Sequence, residues 1–192
     1  MKKPLIFFLL IILITTTLSA CNSNSNPSST NQMNVNTSDL NYLTEEFLVS
    51  MSRSGITAHS WNSVEEIPVD NLMLFYVAKN DISNNNNINW DTTPIKANDV
   101  ELYITKYFDI SPDYLHNSKY YDSNSNAYQF ESLGGAASAK VISAEINGNE
   151  LILCYEYYSP ADDVTVIRDG TLVLVFSDNN YFYSTCATKS LD

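Results

Sequence analysis

The sequence predicts an α+β domain, about three helices packed on a bent antiparallel sheet built from hairpins. Three observations predict it. Apolar residues recur at helical spacing between residues 40 and 108, the period falls to two from Lys119 onward, and turn residues punctuate the second half at hairpin intervals. Helices first and strands second is the element order of an α+β domain, not of alternating parallel units.

Each element has its own local cause. Ser38 is the expected N-cap of the first helix, with Asp39 in its first turn, and Leu40, Leu43, Phe47, Leu48 and Met51 form its apolar stripe. Gly55 ends that pattern. A connection follows that carries Trp61 and the pair Glu65-Glu66. Pro68 and Asp70 open a second helix whose apolar band, with Leu72, Met73, Phe75, Tyr76 and Ala78, is wide enough to predict deep burial. Residues 83–89 are an Asn-rich loop. Asn98 and Glu101 have capping-box spacing at the start of a third helix, where Val100, Tyr103, Ile104, Tyr107 and Phe108 share one stripe. Ser111-Pro112 restarts a single turn, with serine as cap and proline at the first helical position.

Strand periodicity then takes over. Tyr120-Tyr121 and Tyr128-Gln129-Phe130 flank a polar turn at residues 122–126. Gly134-Gly135 breaks the chain. Residues 140–146 and 151–158 read as a hairpin around Asn147-Gly148, a strong two-residue turn signal. Asp169-Gly170 is expected to be a further turn or a bulge, and residues 171–176 and 181–187 form the last hairpin around residues 178–180. The alternation of Leu172, Leu174 and Phe176 with Val173, Val175 and Ser177 predicts a sheet at least partly covered on both faces, with the helices on one of them.

Composition narrows the function classes. The chain has 192 residues and a formal charge of −12, which becomes −14 without Lys2 and Lys3. So acidic a surface argues against nucleic acid and against unaided binding to anionic lipid. A domain of about 150 residues buries about 68–70% of its unfolded surface, enough for a core without covalent staples. Cys154 and Cys186 sit in apolar strand contexts. There they are either a disulfide, which an oxidising compartment permits, or two thiols behaving as small hydrophobes.

No motif specifies catalysis, and no catalytic, cofactor-binding or metal-ligating residue is assigned. Asp122-Ser-Asn-Ser-Asn has the first three oxygen positions of a calcium loop, but Ala127 replaces the glycine and Leu133 the bidentate glutamate, so a polar turn is expected. Gly134-Gly135 before Lys140 lacks the residues of a phosphate loop. His59 and His116 have no metal-like neighbours at useful spacing, and Cys154 and Cys186 are mid-strand, where nucleophilic cysteines are not favoured. The excess is in tyrosine, 13 in all. Tyrosine packs well on sheets and also suits binding surfaces. Trp61, Tyr155, Tyr157 and Tyr183, with Tyr158 and Tyr181 beside them, are therefore the candidate ligand-facing residues on the curved sheet face.

The beginning of the chain suggests where this domain works. Lys2 and Lys3 precede an apolar run at residues 5–13 that is shorter than the roughly 20 residues of a membrane span. Leu18-Ser19-Ala20-Cys21 resembles the lipobox of bacterial lipoproteins. That resemblance implies a signal peptide over residues 1–20, diacylglycerol on the Cys21 sulfur, and an extracytoplasmic, lipid-anchored protein whose membrane contact runs through Cys21. Residues 21–38 are then the lipidated cysteine and a disordered polar tether with an r.m.s. span near ~23 Å. Residues 39–192 are the single domain.

Two segments carry a wider resemblance. Val100-Glu-Leu-Tyr-Ile-Thr-Lys-Tyr-Phe-Asp-Ile-Ser-Pro-Asp-Tyr-Leu with Ser118-Lys-Tyr-Tyr-Asp, and Leu133-Gly-Gly-Ala-Ala-Ser-Ala-Lys-Val with Tyr157-Tyr-Ser-Pro-Ala-Asp-Asp, resemble lipoproteins of Gram-positive anaerobes. The likeness implies an envelope location and carries no activity. The element order is similar to NTF2-like and cystatin-like folds, which host many functions. The expected role is non-catalytic binding of an envelope protein or a small ligand. The alternatives are a small NTF2-like pocket enzyme, hydrolase or isomerase, and a cell-wall glycan binder.

Overall fold

The computed structural model describes residues 35–83, 89–131, 133, 138–177 and 180–191. The signal segment, Cys21, most of the tether, the centre of the Asn-rich loop, Gly134-Gly135 and the 178–179 turn lie outside the described residues. The described residues fall within one compact unit, and it has the α+β class that the sequence predicts.

The first helix is interrupted. α1 (Leu40–Leu43) runs into a π-helical turn (Thr44–Leu48) and then α2 (Val49–Arg53). Its N-cap is Asp39, whose carboxylate accepts from the Tyr42 amide at 3.0 Å, and not Ser38, whose own amide donates to Asn36 Oδ1. Two 3₁₀ turns (Ile56–Ala58 and Val64–Glu66) lead to α3 (Val69–Ser83). β1 (Ile95–Lys96) precedes α4 (Ala97–Ile104) directly. The expected capping box is therefore absent. The Ala97 amide donates to Asn126 O at 3.1 Å, the helix starts one residue before Asn98, and Lys96 holds the cap position without a side-chain bond. α5 (Pro112–Leu115) is capped by Ser111 with Pro112 leading it, as its sequence dictates.

β2 (Tyr121–Asp122) and β3 (Ala127–Tyr128) form the first hairpin, and β1 joins it in a small antiparallel sheet of order β1-β3-β2. The larger sheet is a meander, β4 (Ala139–Asn147), β5 (Glu150–Tyr158), β6 (Val166–Ser177) and β7 (Asn180–Ser190), in that order. Gly148, at φ +63°, supplies the left-handed backbone of the β4–β5 turn. Asp169-Gly170 is neither turn nor bulge. Both residues lie in register within β6, Gly170 paired with Tyr155 and Thr188. Register shifts between Val141 and Ser143, Tyr157 and Tyr158, and Val173 and Leu174 bend the sheet.

One face of this sheet is the core. Leu151, Leu153, Tyr155 and Tyr157 of β5 alternate inward with Leu172 and Leu174 of β6 and Tyr181, Tyr183 and Cys186 of β7. The helices pack on that face. Phe75 of α3 meets Phe108 and Tyr183 edge-on, and Phe108 stacks on Tyr183 with ring centres 5.3 Å apart. The β7 edge is closed by main-chain bonds: Trp61 and Cys186 exchange two at 2.8 and 3.0 Å, and the Tyr183 amide donates to Tyr107 O at 2.9 Å. At the other edge the Val141 amide donates to Thr44 Oγ1.

Candidate functional site

Trp61 bridges to Cys186 at the β7 edge, and Tyr155, Tyr157 and Tyr183 share one sheet face, as the alternation requires, but that face is filled. Their exposures are 1%, 0%, 8% and 1%. The helices need an apolar partner, and the inward tyrosines supply it. The Tyr155 hydroxyl donates to Thr57 O at 3.1 Å and lies 3.2 Å from Cys186 Sγ, and the Tyr183 hydroxyl donates to Phe47 O at 2.9 Å. The expected open concavity is thus the helix-packing surface. Tyr181 is buried beside them, and Tyr158 turns to the opposite face and donates to Glu156.

Two polar clusters hold the helical layer in place. At the π-helical turn, Lys79 Nζ donates to Glu46 O at 2.6 Å and pairs with Glu46 Oε1 at 3.2 Å, while Tyr181 donates to the same carboxylate oxygen. Side chains from α3 and β7 so bind the carbonyls of Glu46 and Phe47 within the widened turn. π-Helical turns recur at functional sites, but the geometry here is that of a clasp. Burial raises the hydroxyl pKa values of Tyr103, Tyr107, Tyr181 and Tyr183, so these groups remain neutral donors. In the second cluster, His116 Nε2 lies 2.8 Å from Glu101 Oε1, Tyr128 donates to the same oxygen, and the His116 ring stacks on Tyr121 at 4.2 Å. It ties α4 and the end of α5 to the small sheet. The spacing of Glu101 and His116 in sequence gave no hint of this contact.

The Asp122 carboxylate is spent within its turn, accepting from the Asn124 amide and the Ser125 hydroxyl. These bonds lower its pKa, the Ser125 one most. Cys154 and Cys186 are both free thiols. They lie on opposite faces of the sheet with β6 between their strands, so a disulfide is sterically excluded. Burial pushes the Cys186 thiol up to about 11.

The face opposite the core is the remaining broad surface. Ile152 and Val173 are cross-strand neighbours there, and the next outward row is Glu150, Val175 and Phe182. Ile152, Val173, Val175 and Phe182 are only half-buried. Toward the other end of the sheet, Lys140, Glu156, Asp169 and Lys189 form a charged row in register. This gives the outer face an apolar strip with a charged row toward one end. The period-two pattern in β5 and β6 signalled this strip, but the sequence did not say which face the helices would take.

Comparison of the chain with protein-family models, with curated proteins and with solved structures finds no match. Among the described residues, no helix is long and apolar enough to cross a membrane.

Proposed function

We propose that this chain is a lipid-anchored extracytoplasmic protein whose domain is a non-catalytic interaction module of the cell envelope, related in location to the lipoproteins it resembles. Cys21 carries the lipid, residues 22–38 tether the domain, and residues 39–192 present the binding face. The observation that carries the module reading is the two-sided sheet. Its tyrosine-rich face is consumed in packing, and its outer face keeps the in-register strip of Ile152, Val173, Val175 and Phe182 only half-buried. A filled inner face favours this over a pocket enzyme, which needs a concave, convergent site. Anchoring raises the effective concentration at which such a module meets a partner in the same membrane.

Two measurements test it. Cys21→Ala abolishes incorporation of a fatty-acid probe, and persistent labelling overturns the anchor. The intact chain, immobilised and exposed to solubilised envelope extract, captures a saturable partner that Ile152→Lys with Val173→Glu no longer holds. Capture unaffected by these changes overturns the assigned face.

A further inference from the structure

A groove of about 530 Å³ opens beside the β7 edge, where the outer sheet face meets the loops that close that edge. Half-buried Val175 and Phe182 give its accessible apolar lining, and buried Val64 and Tyr183 border it. Two carboxylates, Glu65 and Asp109, complete it together with serine side chains, and no lysine or arginine lines it. Both carboxylates are exposed, and among the described residues neither has an ion-pair or hydrogen-bond partner for its side chain.

The walls are fixed before any ligand arrives. Trp61 and Cys186 exchange main-chain bonds on one side, and Tyr107 O receives the Tyr183 amide on the other. The Tyr114 hydroxyl donates to Glu65 O at 3.1 Å and to Ile67 O at 3.3 Å, which pins the segment that carries Glu65. A preorganised groove spends little of its binding energy on ordering. Its volume falls in the small-molecule range of roughly 300–1,000 Å³.

We propose that this groove binds a small organic cation, an ammonium or guanidinium group carried on an apolar body. The charge complementarity fixes the class. An anion is repelled by two carboxylates and a neutral apolar molecule gains nothing from them, whereas a cation with an apolar body uses both parts of the lining. The body lies on Val175 and Phe182, and the charge is held by Glu65 and Asp109. This deepens the module reading by giving it a ligand class, and it rests on that reading.

The test uses the full chain in non-ionic maltoside micelles, followed by amide NMR, with 3-phenylpropylammonium as the probe. The neutral alcohol and the carboxylate of the same carbon skeleton are the controls. The ammonium probe is expected to shift the amides of Glu65, Asp109, Phe182 and Ser184 saturably in the millimolar range, at least about tenfold more tightly than the alcohol. Glu65→Gln with Asp109→Asn, both at exposed positions, reduces ammonium binding to the level of the alcohol and leaves amide shifts elsewhere in place. Equal binding by the alcohol, shifts confined to other residues, or no saturation overturns the proposal. If the titration fails while partner capture still depends on Ile152 and Val173, the groove is lost and the module stands. If capture fails while the titration succeeds, the protein-partner reading falls alone.

Discussion

Gly170→Ala tests a close backbone approach in the sheet. Gly170 faces the core, and a Cβ there would lie 2.5 Å from both Cζ and Oη of Tyr155 and 2.7 Å from Ala187 O. Carbon atoms in good contact stand about 3.5–4.0 Å apart, so the Tyr155 ring must retreat by roughly 1 Å. That ring is fully buried, and its hydroxyl holds Thr57 O at 3.1 Å. Overpacking a filled core costs about 1–3 kcal/mol, and losing the hydroxyl bond adds about 1 kcal/mol. Replacing a strand glycine returns about 0.5–1 kcal/mol of backbone entropy. The clash therefore wins, and a net loss of about 1–3.5 kcal/mol is expected in a denaturant-unfolding experiment. Tyr155→Phe removes one of the clashing atoms together with the same hydrogen bond, so the double variant is expected to be less unstable than the two single losses combined, by about 0.5–1 kcal/mol. A Gly170→Ala stability within about 0.5 kcal/mol of the unaltered chain, or a strictly additive cycle, would refute the close-approach reasoning.

Two further outcomes follow from the buried groups. Burial raises the pKa of Tyr103, Tyr107, Tyr128, Tyr155, Tyr181 and Tyr183 above the ordinary tyrosine value of 10. For an acid whose folded pKa is raised, the unfolded chain releases protons first, so stability is intact below pH 10 and falls as pH rises through it. Absorbance at 295 nm should show the buried set ionising together with loss of near-ultraviolet circular dichroism. Smooth, reversible titration of all tyrosines in the folded state contradicts the burial. Iodoacetamide at pH 8 should alkylate half-exposed Cys154 well before Cys186, whose thiol is buried and raised to about 11. Equal rates, read by peptide mass spectrometry, contradict their placement on opposite faces.

Much of the fold is written in short-range signals. Asn147-Gly148 demands a tight turn wherever it occurs, and Ser111-Pro112 starts a helical turn by itself, because both act within a few bonds of the backbone. The signals that misled were those open to competition from distant groups. Asn98 and Glu101 have capping-box spacing, but pairing of β1 with β3 moves the helix start forward and leaves Glu101 to His116 and Tyr128. Asp169-Gly170 has turn chemistry, yet the glycine serves to admit the Tyr155 ring.

The sequence alone determined the α+β class, the four long strands and their alternation, since periods of 3.6 and 2 are local properties of the chain. Only the tertiary structure decided what each face does. Alternation places Tyr155 and Tyr183 on one side and Ile152 and Val173 on the other, and both sets are apolar enough to be buried. The helices settle the choice by covering the larger aromatic set, where hydroxyls reach the carbonyls of Thr57 and Phe47 while the rings exclude water. The same choice leaves the outer apolar strip half-buried and sets Glu65 and Asp109, 44 positions apart in the chain, on one groove at its margin.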